Sequence, residues 1–253
     1  MIGSGIAAVR GALGFLTRLP VGHRDGDWAA FRSAPATFPV VGYVAGALAA
    51  VPLLATGALP APTVALGYPL AVYAVLGIHH LDGVADLGDA LVVHGDRERR
   101  REVLKDTTTG VGALLAVSLV VVALALGGLS LAGLPPRRAI GVAVAAEVGT
   151  KLGMAAMACF GTASDDGMGR QFTTASDPLS FVAPALIALP AAALTWPNPA
   201  AAVALGGALA GIGLPWNWAT GHLGGVNGDI FGAANEIGRV AGVHLGVIAW
   251  TLS

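Results

Sequence analysis

Residues 110–132 read GVGALLAVSLVVVALALGGLSLA, twenty-three positions without one charged side chain. About 20 such residues in helical form cross a hydrocarbon core roughly 30 Å thick. Six further apolar runs lie at about 36–56, 62–80, 139–160, 179–196, 200–219 and 229–252. The whole chain of 253 residues is 55% hydrophobic and only 11% charged, with a mean hydropathy of +0.73. A soluble domain carries roughly 25% charged residues, so most of this chain does not face water. The fold expected is all-α: a polytopic transmembrane helical bundle of about six to seven spans.

Prolines punctuate the runs at Leu59-Pro60-Ala61-Pro62, Leu134-Pro135-Pro136 and Trp196-Pro197-Asn198-Pro199, tight connections suited to antiparallel neighbours. No linker, repeat or change of composition divides the chain, so residues 1–253 are read as a single integral membrane domain. Gly42 and Gly46 make a GxxxG pair that suits close helix packing. The apolar N-terminus is interrupted by Arg10 and lacks a small-residue cleavage site; it reads as a retained membrane-associated helix. The lone Cys159 reads as a small buried core residue. A net charge of −1 argues against a nucleic-acid partner.

The charges cluster. Arg97, Arg99, Arg100, Arg101 and Lys105 fall in one short loop, and Arg10, Arg18, Arg24 and Arg32 flank the N-terminal segment. Positive loops stay in the cytoplasm. Counting spans onward puts the 161–178 and 220–228 loops on that side too, whereas Arg137 and Arg138 fall outside, against the rule.

The acidic residues are patterned. In His79-His80-Leu81-Asp82-Gly83-Val84-Ala85-Asp86-Leu87-Gly88-Asp89-Ala90, a helix at about 100° per residue sets Asp82, Asp86 and Asp89 at about 0°, 40° and −20°. His79 stands beside that stripe at about 60°. A carboxylate deep in a bilayer costs at least about 2.5–3.5 kcal/mol, and three on one face also repel one another. Protonation or a bound hard cation would relieve the repulsion. Mg²⁺ favours carboxylate oxygens and shares substrate phosphates.

A second motif, Gly224-Gly225-Val226-Asn227-Gly228-Asp229-Ile230-Phe231-Gly232-Ala233-Ala234-Asn235-Glu236, sets Asp229 and Glu236 seven residues apart, again on one face. Gly232 leaves room between them, and the glycine-rich approach offers bare N–H groups to an anion. Between the motifs, Lys105-Asp106-Thr107-Thr108-Thr109-Gly110 supplies a cation for phosphate and a further carboxylate.

At these residues the sequence resembles the cobalamin synthase family, the adenosylcobinamide-GDP ribazoletransferases. The matching pieces run in order: Phe15-Leu16-Thr17-Arg18-Leu19-Pro20-Val21, Phe38-Pro39-Val40-Val41-Gly42, His80-Leu81-Asp82-Gly83-Val84-Ala85-Asp86, Lys105-Asp106 with Gly110, then Gly228-Asp229 with Gly232-Ala233 and Glu236. Two departures are visible. Ala90 stands where the family has Gly, and Thr107-Thr108 replaces a Ser-Arg pair.

The resemblance implies a membrane enzyme of the last step of adenosylcobalamin assembly. It would join adenosylcobinamide-GDP to α-ribazole or its 5′-phosphate and release GMP, with Mg²⁺ or, alternatively, Mn²⁺. Asp82, Asp86, Asp89, Asp229 and Glu236 are the expected metal ligands, with Asp86 or Asp89 also accepting the proton of an attacking ribazole 5′-hydroxyl. His80, Lys105, Asp106, Gly228 and Gly232 are the expected substrate contacts. The partners expected are the two substrates and the lipid bilayer, with room for a homo-oligomer. The place expected is the cell membrane, with the acidic motifs on the cytoplasmic side. Other readings stay open: a CDP-alcohol phosphotransferase or prenyltransferase type of diphosphate enzyme, or a cation-coupled transporter, which would keep its carboxylates near the midplane.

Overall fold

The computed structural model describes residues 2–106 and 108–253; Thr107, one of the two departures noted above, lies outside them. The chain runs through α1 (Ile2–Leu16), α2 (Asp27–Arg32), α3 (Thr37–Ala49), α4 (Ala61–Leu76), α5 (His79–Val92), α6 (Arg97–Val103), α7 (Val111–Leu131) and α8 (Pro136–Phe160). It continues through α9 (Met168–Thr173), α10 (Val182–Ala188), α11 (Ala200–His222) and α12 (Gly228–Leu252). Three 3₁₀ turns interleave at Val51–Ala55, Pro178–Phe181 and Leu189–Ala193. Among the described residues the only β pairings are two isolated bridges. The all-α helical membrane bundle is therefore what this sequence forms.

Among the described residues four segments are long and apolar enough to cross a membrane unaided: Thr37–Ala55, Val111–Leu131, Pro136–Phe160 and Ala200–His222. The pair α4 and α5 makes a fifth if counted as one broken span. That is fewer than the six to seven apolar runs of the sequence, for physical reasons. The run at 179–196 is cut by Pro184 and Pro190 into short helical pieces. The last run folds into the 25-residue α12, which carries Asp229, Glu236 and Arg239.

Helix α8 is the axis of the molecule, buried along almost its whole length. Pro136 opens it at a position where no N–H is needed. Gly42 and Gly46 of α3 let the two backbones touch: a Cβ on Gly42 would lie 2.8 Å from Val148 Cα. Around this axis α3, α11 and α12 close the core. The outward faces carry Leu66 and Leu70 of α4, Leu114, Leu115, Leu119 and Val122 of α7, and Ile248 of α12. Apolar side chains turned outward in such number belong to a bundle whose solvent is hydrocarbon.

One end of the bundle gathers the loops that matter. There the strand-like stretch at 162–164 pairs with 226: Val226 N–H donates to the Thr162 carbonyl at 2.7 Å and Ser164 N–H to the Val226 carbonyl at 3.0 Å. Arg101 of α6 donates to the Leu223 carbonyl of the same segment. At the opposite end Arg138 donates to the carbonyls of Thr195 and Trp196 and sits 5.6 Å from the centre of the Trp250 ring. So Arg138, one of the two arginines that the span count sets against the charge rule, has fixed partners of its own.

Candidate active site

Helix α4 ends at Gly77, whose φ of +77° is open to glycine and strained for other residues. The chain turns there, and α5 leaves at 99° to α4. This bend lays the acidic stripe across the end of the bundle instead of along its depth. Asp82 is exposed there, while Asp86 and Asp89 are half-buried.

The N-terminal turn of α12 meets α5 at two glycines. A Cβ on Gly83 would lie 2.3 Å from the Asp229 carbonyl oxygen, and one on Gly232 would lie 3.1 Å from His80 Cα. At Gly83 only glycine permits so close an approach, and at Gly232 a side chain would press on the His80 backbone. The contact brings Asp229 to the stripe: Asp86 lies within electrostatic reach of Asp229, Asp82 and Asp89, and Asp229 within reach of Asp82. Asn227 shapes this turn by accepting the Ile230 N–H at 3.0 Å and donating to Asp229 Oδ2 at 3.0 Å.

Among the described residues no three His, Cys, Asp or Glu side chains close into a ready-made metal cage. The acidic face is open. Seven helical residues span about 10 Å along the axis, so Asp82 and Asp89 share a direction without sharing a point. An open face still fits Mg²⁺, which commonly takes one or two carboxylates and completes its shell with water and phosphate oxygens. The stripe borders a cavity of about 280 Å³ lined also by Lys105, Asp106, Thr108 and Thr109. Lys105 further borders a polar cavity of about 780 Å³ with Arg101, Arg170, Asp165, Asp166, Thr162 and Ser164, in which Arg170 pairs with Asp166. In the loop, the Thr108 backbone N–H, at 3.0 Å, holds the Asp106 carboxyl below the usual carboxylate range.

Two expected ligands have other duties. Asp89 accepts the N–H of Gly110 on one oxygen at 2.7 Å and that of Ala113 on the other at 2.9 Å. It thereby satisfies orphan donors at the start of α7, whose own N-cap is a glycine. Glu236 shares Asp229's direction but stands about 10 Å deeper along α12. It is buried, with Oε1 at 2.6 Å from Arg239 Nη1 and Tyr73 donating from 3.5 Å. Its first partner is a guanidinium.

Glu236 belongs to a buried ionic network. Glu147 pairs with Lys151 at 2.9 Å, as their i, i+4 spacing suggests, and with Arg239 at 2.7 Å. Two carboxylates and two cations balance, which is what burial of charge demands. Lys151 also donates to Asn235 Oδ1, which orients the amide, so Asn235 Nδ2 donates to His80 Nδ1 at 3.0 Å. His80 Nδ1 is thus an acceptor, and its Nε2 carries the proton in the neutral ring. Arg239 and Asn235 escaped the sequence reading. The signal was an arginine inside an apolar run, three residues after Glu236.

His79, His80, Gly228, Asp229 and Gly232 border one further cavity, of about 440 Å³. Of the residues singled out in the sequence, Asp82, Asp86, Asp89, Lys105, Asp106 and Asp229 thus gather at one end, with Gly228, Gly232 and His80 beside them; Glu236 does not join them.

The family profile for cobalamin-5-phosphate synthase matches residues 8–247. An adenosylcobinamide-GDP ribazoletransferase of Halorubrum lacusprofundi is 52% identical, covering 97% of this chain and 98% of that protein. Proteins of the same name from Halobacterium salinarum and Haloquadratum walsbyi are 55% and 42% identical, over 78% and 98% of this chain and 98% and 99% of their own lengths. No solved structure matches. With nearly the whole chain covered by the profile and by close relatives, this protein belongs to the cobalamin-5-phosphate synthase family.

Proposed function

We propose that the protein joins adenosylcobinamide-GDP to α-ribazole, or to its 5′-phosphate, and releases GMP. The observation that carries this reading is the meeting of the α5 acidic stripe with Asp229 across the Gly83 contact, beside the basic helix α6. Family membership and the relatives' names support it.

Asp82, Asp86 and Asp229 would hold Mg²⁺, with Mn²⁺ as a substitute. Such an ion neutralises charge on a diphosphate and orients its phosphorus. Lys105 borders the cavity of the acidic face and, together with Arg101, the polar cavity, and both cations are suited to the GDP phosphates. In the step itself an acceptor hydroxyl forms a new ester bond to the phosphorus next to the cobinamide. The P–O–P bond breaks, and GMP leaves with its electron pair. Asp86, the less committed of the two candidate bases, accepts the hydroxyl proton. Asp89 positions α7 through its two backbone hydrogen bonds. An acceptor already esterified at its 5′ oxygen must attack through a ring hydroxyl of the ribose, so the 5′-hydroxyl expected above is the wrong nucleophile for a phosphorylated acceptor.

The positive-inside rule, applied to the basic α6, supports a cytoplasmic position for this end in a cell-membrane protein. A transporter is disfavoured, because the deep carboxylates Glu147 and Glu236 are already paired with Lys151 and Arg239. The test is GMP release by purified protein given both substrates and Mg²⁺. Asp82→Asn and Asp229→Asn should each lower turnover by about 100-fold or more in a folded protein. Near-normal rates in either would refute the assignment.

A further inference from the structure

The cavity of about 440 Å³ beside Asp229 has a lining unlike that of the acidic face. Its wall is aromatic: Phe15 from α1, Phe38 from α3, Phe172 from α9 and Phe231 from α12. The rings form one connected surface, with centroids 5.6 Å apart for Phe38 and Phe172, 5.9 Å for Phe172 and Phe231, and 6.2 Å for Phe15 and Phe172. No lysine or arginine lines it. Its polar rim consists of His79, His80 and Asp229.

We propose that this cavity is the acceptor subsite, taking a neutral nucleoside through its flat, bicyclic aromatic base. This rests on the transferase reading above. Small-molecule sites occupy about 300–1,000 Å³ and are largely apolar with a few convergent polar groups, and aromatic walls favour flat rings. A cavity without cations, rimmed by a carboxylate, is a poor host for a diphosphate.

Placement on the reaction path agrees. In-line displacement sets the nucleophile and the leaving group on opposite sides of the phosphorus. Asp229 borders the aromatic cavity, whereas Asp82, Asp86 and Asp89 border the cavity that shares Lys105 with the polar one. An acceptor entering on the Asp229 side and a nucleotide lying on the Lys105 side would face each other across the carboxylates. His80, its Nδ1 occupied by Asn235, offers Nε2–H to the acceptor.

Gly14 gives the test. It lies on the cavity wall and is exposed, and a Cβ there would be 3.5 Å from Val21 Cγ2 and 3.9 Å from the Gly22 carbonyl oxygen. Both are ordinary contacts, and leucine is a better helix former than glycine. Gly14 borders both this cavity and a neighbouring one lined by Gly22, His23 and Trp28, so Gly14→Leu adds bulk at the edge the two share. Gly213→Leu, on an exposed face of α11 with no atom within 4 Å of its Cβ position, is the control.

The full chain in lipid nanodiscs is dialysed to equilibrium against α-ribazole alone, and GMP release is measured with each substrate varied. We expect wild type and Gly213→Leu to retain α-ribazole. Gly14→Leu should bind it at least about tenfold more weakly, its acceptor KM rising by the same factor while the donor KM moves by less than about twofold. Equal retention by Gly14→Leu, no retention by wild type, or a rise in the donor KM in place of the acceptor KM would overturn the proposal. If wild type retains α-ribazole and Gly14→Leu does not, yet neither releases GMP, the transferase reading falls and the subsite stands.

Discussion

Gly83 of α5 and Asp229 of α12 pass so closely that a methyl group on the first would lie 2.3 Å from the carbonyl oxygen of the second. The obstacle is backbone, not a flexible side chain, so it cannot step aside. Gly83→Ala should push α5 off the start of α12 and open the space between Asp86 and Asp229. Overpacking of this kind costs about 1–3 kcal/mol, and misplacement of reacting groups by about 1 Å costs on the order of 100-fold in rate. Turnover should thus fall far more than thermal stability does. A variant with ordinary kcat would show that the two helices need not hold this separation.

Asp89 and Asp82 lie on one helix face, yet they should behave differently. Asp89 spends both oxygens on the N–H groups of Gly110 and Ala113; Asp82 is exposed beside the cavity. Asp89→Asn turns one acceptor oxygen into an N–H₂ group and leaves one of those backbone N–H groups unpaired, a loss of about 1–3 kcal/mol of stability. It should lower the melting temperature with the Mg²⁺ requirement little changed. Asp82→Asn should do the reverse, raising the Mg²⁺ concentration needed for half-maximal rate. If Asp89→Asn shifts the Mg²⁺ requirement as strongly as Asp82→Asn, Asp89 is a ligand after all.

These contrasts mark where sequence reading stopped. The apolar runs and the spacing of Asp82, Asp86 and Asp89 were legible, because helical period is a local property. The bend at Gly77 was not: it depends on how α5 packs against α12, and it decides that the stripe lies at the end of the bundle. Glu236 was misplaced because angular period says nothing of depth; sharing a face with Asp229 did not prevent it from pairing with Arg239 about 10 Å further along. Asn235 was invisible for the same kind of reason, since its partners Lys151 and His80 are distant in sequence.

The pair of Arg10 and Asp27 predicts an acid-sensitive step in stability. Arg10 Nε donates to Asp27 Oδ2 at 2.7 Å, and this hydrogen bond holds the Asp27 carboxyl below its ordinary value of about 3.9. A carboxyl whose folded pKa is depressed stabilises the fold above its unfolded pKa, and that contribution is lost as pH falls towards the folded one. The melting temperature should therefore decline below about pH 4. Asp27→Asn should melt lower than wild type at neutral pH and show a shallower acid decline. Parallel acid limbs for the two proteins would remove Asp27 from the account.

The buried network makes the sharpest demand on stability. Arg239 contacts both Glu147 and Glu236, at 2.7 and 2.6 Å, and all three are buried. Arg239→Met would leave one carboxylate more than the remaining Lys151 can balance, and breaking a buried pair costs about 3–5 kcal/mol. Adding Glu236→Gln to that variant removes the surplus charge, so the double variant should recover part of the lost stability; non-additivity of this sign is what direct contact produces. Measured by thermal unfolding in nanodiscs, Arg239→Met should be the least stable of the three. A double variant no more stable than Arg239→Met would mean that Arg239 acts through packing, and that the charges of Glu147 and Glu236 are balanced by something other than this guanidinium.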